Sequence, residues 1–347
     1  MPRRDVGEVL LDVQDLSVDY LTLNGAVRAV SNASFTLRRG EILGLAGESG
    51  SGKSTLTTAL LRLQRSPAVT VGGTVLYHGE DGSVLDLVPR TDKELRRLRW
   101  SSLAIVMQSA MDALNPVKRL GAQFVDVLRE HDPRMTTKEA LRRAGDLLTL
   151  SGIPRDRLDS FPHEMSGGMR QRSLISLALA CDPDLVVMDE PTTAVDVVMQ
   201  RTIMSQVLRL QRELGFSIIF VTHDLSLLLE LSDRLAIMYA GKIVEIGPAE
   251  ELYRRPRHPY TKALRDSFPP LHAPLVEMHG IPGSAPDLRN LPAGCAFADR
   301  CPEAFDLCGT QRPPLVAVGD QVDAACHLHH ADREPDAAPE SVKGRAA

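Results

Sequence analysis

The spacing of hydrophobic positions changes along the chain. Val9-Leu10-Leu11-Asp12-Val13 and Ala33-Ser34-Phe35-Thr36-Leu37 alternate, as strands with one buried face do, and Asn24-Gly25 between them is a turn signal. Glu41-Ile42-Leu43-Gly44-Leu45-Ala46, Leu185-Val186-Val187-Met188-Asp189 and Ser217-Ile218-Ile219-Phe220-Val221-Thr222 are apolar runs, the mark of strands covered on both faces. Lys53 to Leu63 reads as a helix, and residues from about 90 to 180 carry charged helical periodicity, as in Lys93-Glu94-Leu95-Arg96-Arg97-Leu98. Strand-helix-strand order of this kind predicts an α/β fold with a largely parallel sheet.

After Gly247-Pro248 the pattern breaks. Prolines at 256, 259, 269, 270, 274, 282, 286 and 292 interrupt any long element, so a loop-rich region is expected over 251–330, following a main domain over 1–250. The polar stretch 331–347 is expected to be disordered.

Composition narrows the function classes. The chain has 347 residues, is 43% hydrophobic and carries a net charge of −5, so it can bury a sizeable core and has no basic surplus for nucleic acid. No apolar stretch reaches membrane-spanning length, and Met1-Pro2-Arg3-Arg4-Asp5 is not followed by a secretory core, which predicts a cytoplasmic protein.

Two segments carry phosphate chemistry. In Gly47-Glu48-Ser49-Gly50-Ser51-Gly52-Lys53-Ser54-Thr55 the glycines let backbone amides turn towards phosphate oxygens at a helix start. Lys53 would meet the β and γ phosphates and Ser54 would meet Mg²⁺. Asp189 and Glu190 end a buried run and divide two roles, Mg²⁺ for Asp189 and activation of water for Glu190.

A third segment, Ser166-Gly167-Gly168-Met169-Arg170-Gln171-Arg172, resembles the signature of ATP-binding-cassette (ABC) ATPases. The resemblance implies a P-loop core with an antiparallel β subdomain and a helical subdomain over about 90–180. It also implies that Ser166, Gly167, Gly168, Met169, Gln171 and Asp196 act in trans, on ATP held by a second ATPase packed head-to-tail. Within the same family pattern, Gln108 resembles the glutamine that touches Mg²⁺ or the attacking water, and His223 resembles the switch histidine on the γ-phosphate. Ala194-Val195-Asp196 resembles the loop that crosses to the partner, with Val195 where leucine is usual. Tyr20 stands where an aromatic stacks on adenine, although a core strand tyrosine would read the same way.

Met111-Asp112-Ala113-Leu114-Asn115-Pro116 and His258-Pro259-Tyr260-Thr261-Lys262-Ala263-Leu264 are similar to the oligopeptide/dipeptide importer branch, which usually shows Asp-Pro where this chain has Ser109-Ala110. Cys295, Cys301, Cys308 and Cys326 follow as Cys-x5-Cys-x6-Cys-x17-Cys. Four thiolates suit zinc or an iron–sulfur cluster. The missing Cys-x2-Cys pairs and the Cys301-Pro302 step favour [4Fe–4S], which the resemblance also implies, while His327, His329 and His330 keep a zinc site open. Cys181 reads as a buried helix residue.

The resulting expectation is the ATP-hydrolysing subunit of an importer of di- or oligopeptides, bound peripherally at the cytoplasmic face of the membrane. Its implied partners are a second, paralogous ATPase, two permease subunits and an extracytoplasmic solute-binding protein, with no nucleic acid. Import of nickel or oligosaccharide is the nearest alternative. A soluble non-transport ABC ATPase is a further one, without the long coiled coil or second cassette usual there. A redox or metal regulatory role for the tail is a third reading.

Overall fold

The computed structural model describes residues 7–107, 113–191, 196–267 and 280–329. Among the described residues a hairpin comes first: β1 (Val9–Thr22) pairs antiparallel with β2 (Gly25–Arg38) across a turn at Leu23-Asn24, one position ahead of the Asn24-Gly25 signal. Both strands run well past the segments whose alternation announces them, because bulges along their register let pairing continue through Asp15, which sits at φ 49°. β4 (Ala68–His78) and β5 (Val84–Asp86) complete a four-stranded antiparallel sheet in the order β2-β1-β4-β5.

The second sheet holds eight strands. Its parallel part is built from β3 (Ile42–Ala46), β6 (Leu103–Val106), β7 (Leu185–Asp189), β8 (Ser217–Val221) and β9 (Arg234–Tyr239), and β10 (Lys242–Pro248) returns antiparallel beside β9. The order is β11-β12-β10-β9-β3-β8-β7-β6, where β11 is Val316–Gly319 and β12 is Val322–Ala324. β6 falls inside the stretch read as helical. Its four residues are too few to shift a pattern dominated by the helices on either side. The C-terminal region is also less irregular than its prolines suggest, since Glu245 and Ile246 of β10 pair with Ala324 and Asp323 of β12.

The apolar runs follow from the sheet's two covered faces. Side chains alternate along a strand. Leu185 and Val187 of β7, Ile219 and Val221 of β8, and Leu43 and Leu45 of β3 join the core under the antiparallel sheet. Val186 and Met188, Ile218 and Phe220, and Ile42 and Ala46 join the larger core on the other face.

Helices cover these faces. α1 is Lys53–Leu60, three residues shorter than read, and α2 (Asp92–Leu95) is one capped turn. α3 (Leu120–His131) and α4 (Thr137–Leu150) bury Leu120, Phe124 and Leu128, and Ala140, Ala144 and Leu148, each a stripe at four-residue spacing. Thr136 and Glu139 close a reciprocal capping box at the start of α4, with bonds of 3.2 and 2.8 Å. α5 is Gly167–Ala178, α6 Val197–Leu214, α7 Leu225–Leu231, α8 Ala249–Arg254, α9 Pro259–Asp266 and α10 Asp306–Thr310.

A buried polar joint ties the two sheets together. Arg39, just after β2, donates to Asp184, just before β7, at 3.0 Å, and the Tyr77 hydroxyl of β4 donates to the other Asp184 oxygen. Burial, with the Asp184 bond, pushes the Tyr77 phenol up to about 12. Asp184→Ala would take from buried Arg39 its close carboxylate, leaving the His78 carbonyl and a 3.9 Å approach to Glu80, and would remove one partner of Tyr77, so stability to urea should fall by about 3 kcal/mol. A midpoint unchanged from the parent chain would contradict this role.

Candidate functional site

In the parallel part of the sheet, β8 lies between β3 and β7. The loops leaving the carboxyl ends of these three neighbours therefore emerge side by side, where open α/β sheets bind ligands. The glycine loop follows β3, His223 follows β8 and Glu190 follows β7. They border a cavity of ≈ 670 Å³ whose wall includes Tyr20, Ser49, Gly50, Gly52, Lys53, Ser54, Thr55, Glu190 and His223.

Two glycines of the loop are dictated by space and by backbone angle. Gly47 (φ +149°) lies against the Met238 carbonyl and Gly52 (φ +101°) against the Ala29 carbonyl, so a Cβ at either would collide with backbone. Gly52 is also the N-cap of α1, which leaves the first amides of that helix facing the cavity. Lys53 is 7% exposed, and its ammonium donates to the carbonyls of Gly47 and Glu48 at 2.7 and 2.9 Å. Burial lowers its pKa, while the charges of Glu190, Asp189 and Glu48 act in the opposite direction.

Burial raises the Asp189 carboxyl above its usual range, while the neighbouring Ser54 hydroxyl acts in the opposite direction. A buried carboxylate beside a hydroxyl is a donor pair that fits Mg²⁺, a cation that prefers oxygen. Glu190 takes φ 46° at the end of β7, and its N–H donates to the Val221 carbonyl at 2.8 Å. This turn breaks the strand alternation and carries the Glu190 carboxylate to the His223 side, with Oε1 3.5 Å from His223 Nδ1. His223 itself is 66% exposed at the cavity mouth. The Tyr20 hydroxyl lies 3.1 Å from Thr55 Oγ1, which holds the ring in the cavity wall. Gln108, Ala194 and Val195 lie outside the described residues.

The signature residues are elsewhere. Ser166 is exposed at the N-cap of α5 and accepts from the Met169 N–H at 3.3 Å. Gly168 packs against Met199 of α6, where an added Cβ would come within 2.6 Å of the sulfur. Asp196 caps α6 through the Met199 N–H at 2.8 Å. Gln171 is 3% exposed and turned into the chain, unlike Ser166. None of Ser166, Gly167, Gly168, Met169, Gln171 and Asp196 lines the cavity that holds Lys53.

Glu48 departs from its expected place. Its amide donates to the Tyr260 hydroxyl at 2.8 Å, and its carboxylate accepts two bonds from Arg300, each 2.8 Å. The side chain thus faces the C-terminal region rather than the cavity. Leu288 of that region joins the cavity wall. The sequence reading missed Leu288, Arg300 and Tyr239. Arg300 stands directly before Cys301, but a bond spanning 252 positions leaves no local signal.

The four clustered cysteines line one small cavity of ≈ 10 Å³, room for about one water. All are free thiols, and burial raises Cys295 and Cys301 and pushes Cys326 up to about 12. The donor set therefore gathers as its spacing suggested. Yet among the described residues no group of three or more His, Cys, Asp or Glu is arranged to hold a metal ion, so the metal-binding C-terminal region expected from sequence is not established. Nε2 of His327 and of His329 lie 2.9 and 2.8 Å from the carbonyls of Gln311 and Arg257. His330 lies outside the described residues. Cys181 is half-buried, and desolvation pushes its thiol up to about 11.

Comparison with known proteins agrees with this geometry. The profile of the ABC transporter family matches residues 30–193, and that of the oligopeptide/dipeptide transporter C-terminal region matches residues 244–308. The oligopeptide transport ATP-binding protein OppD of Bacillus subtilis is 42% identical over 340 residues, 97% of this chain and 93% of that protein. The dipeptide transport ATP-binding protein DppD of Lactococcus lactis is 40% identical, over 90% of this chain and 88% of that protein. Among solved structures, the dimeric ATP-binding cassette MJ0796 in a post-hydrolysis state bound to ADP and Pi shares the fold, with a TM-score of 0.60 at 24% identity, covering 69% of this chain and 99% of that one. CbiO1 of Clostridium perfringens, part of an ABC transporter complex, gives a TM-score of 0.60 at 25% identity, covering 72% and 92%. The chain belongs to the ABC transporter ATPases, in the branch that holds the oligopeptide and dipeptide transport ATP-binding proteins.

Proposed function

We propose that this chain is the ATP-hydrolysing subunit that powers import of di- or oligopeptides. The observation that carries the ATPase half is the convergence of Lys53, Ser54 and the Glu190–His223 pair on one 670 Å³ cavity, with the buried Asp189 carboxylate interacting with Ser54. The peptide half is supported by likeness to OppD over 97% of the chain and to the transporter C-terminal region. Residues 1–250 are taken as the ATPase domain, 251–330 as the C-terminal region and 331–347 as a tail.

In this reading Lys53 and the first amides of α1 bind the phosphates and Tyr20 faces the adenine. Ser54, Asp189 and Gln108 would hold Mg²⁺, which when bound offsets phosphate charge. Glu190 orients and deprotonates the attacking water, and His223 at the mouth senses the γ-phosphate. Ser166, Gly167, Gly168, Met169, Gln171 and Asp196 would act on nucleotide held by a second ATPase, since they stand clear of the cavity in their own chain, with Gln171, at 3% exposed, having to turn outward to do so. We assign that second ATPase as a paralogue, with two permease subunits and a solute-binding protein, at the cytoplasmic face. No helix among the described residues is long and apolar enough to cross a membrane.

For the four cysteines the proposal is a [4Fe–4S] site, with zinc as the alternative; it rests on their spacing and on all four bordering one small cavity, which would have to widen and bring the thiols into a coordinating arrangement to admit either. Protein purified without oxygen should then absorb in the iron–sulfur charge-transfer region and contain iron and sulfide. Zinc in place of iron would select the alternative, and the absence of both would remove the site. The ATPase assignment has its own test. Glu190→Gln should retain radiolabelled ATP through gel filtration while turnover falls by about 10²–10⁴-fold. Unchanged turnover would overturn the role of Glu190.

A further inference from the structure

Glu48 is the second residue of the phosphate loop, and each of its polar groups is committed. Its carbonyl accepts from the Lys53 ammonium at 2.9 Å, pointing inward. Its amide and carboxylate point outward, to Tyr260 and Arg300 of the C-terminal region. Arg300 is itself fixed. Its Nε donates to the Pro282 carbonyl at 2.7 Å, its Nη1 donates to the Tyr239 hydroxyl at 3.1 Å, and its guanidinium lies 5.7 Å from the Phe297 ring. The Arg300 side chain is 7% exposed and that of Glu48 25% exposed, so this forked ion pair is shielded from water and from salt.

Resting on the reading of the Lys53 cavity as an ATP site, we propose that Arg300 is a positioning residue of the ATPase. With Tyr260 it holds Glu48 outward and so keeps the phosphate loop in its binding shape. The physical reason is twofold. The loop is rich in glycine, with Gly47, Gly50 and Gly52 all at positive φ, so an untethered loop would have to be ordered by the nucleotide itself, at the expense of affinity. A Glu48 carboxylate released from Arg300 would also be an unpaired negative charge beside Lys53, competing with phosphate for the same ammonium. The C-terminal region thereby becomes part of the nucleotide site, and its loss would weaken ATP binding without touching the groups that perform hydrolysis.

The test is a double-mutant cycle on the full-length chain in its transporter assembly, reading KM for MgATP and kcat separately. Arg300→Ala should raise KM about tenfold while kcat falls less than about threefold, the pattern of lost binding rather than lost chemistry. Arg300→Lys, which keeps the charge without the fork, should lie between. Glu48→Gln should also raise KM, and the Arg300→Ala/Glu48→Gln pair should be no worse than Arg300→Ala alone, because both act through one bond. Unchanged KM in the Arg300 variants, or KM effects that multiply in the double variant, would overturn the inference. If Arg300→Ala does not fold, KM in Arg300→Lys and Glu48→Gln decides the matter by the same criterion. A parent assembly that does not hydrolyse MgATP would instead defeat the ATPase reading itself.

Discussion

A nearly buried ammonium ion organises this protein. Lys53 is removed from water, where an isolated charge is costly, and is retained because carbonyls and carboxylates surround it. Its partners come from distant parts of the chain: the carbonyls of Gly47 and Glu48 in its own loop, and the charges of Asp189 and Glu190 from the end of β7. A triphosphate is the natural ligand for such a centre, since it brings negative charge and replaces loop carbonyls as the acceptor. The parallel sheet is what makes the arrangement possible, because β3, β8 and β7 are neighbours and end on one edge.

In the proposed reading the site is half of a machine. Ser166 and Asp196 are exposed caps of α5 and α6 and take no part in lining the Lys53 cavity of their own chain. Caps with free faces suit an anion brought by another molecule. The C-terminal region adds a further attachment, reaching the phosphate loop from behind through Arg300 and Tyr260.

Much of the candidate site was legible because its residues are adjacent in sequence or bound to strong local patterns. Gly47 and Gly52 are needed by local backbone geometry, and the buried runs of β3, β7 and β8 announce their two covered faces. What stayed hidden depends on long-range packing. β6 is too short to show a period, β11 and β12 extend the main sheet from a proline-rich segment, and the Glu48–Arg300 fork joins positions that no local rule connects. Gln171 sits in the signature by sequence but is turned inward by the helix period of α5. The cysteines do border one cavity, but among the described residues they are not arranged to hold the metal that their spacing suggested.

The central claim is that ATP turnover needs the Lys53 loop of one cassette and the Ser166 helix tip of another. Turnover measured alongside sedimentation, for this chain with and without its companion cassette, tests it most directly. The account predicts hydrolysis only in the two-cassette assembly, and its loss when Ser166→Arg is introduced. Full-rate hydrolysis by a strict monomer carrying Ser166→Arg would contradict it.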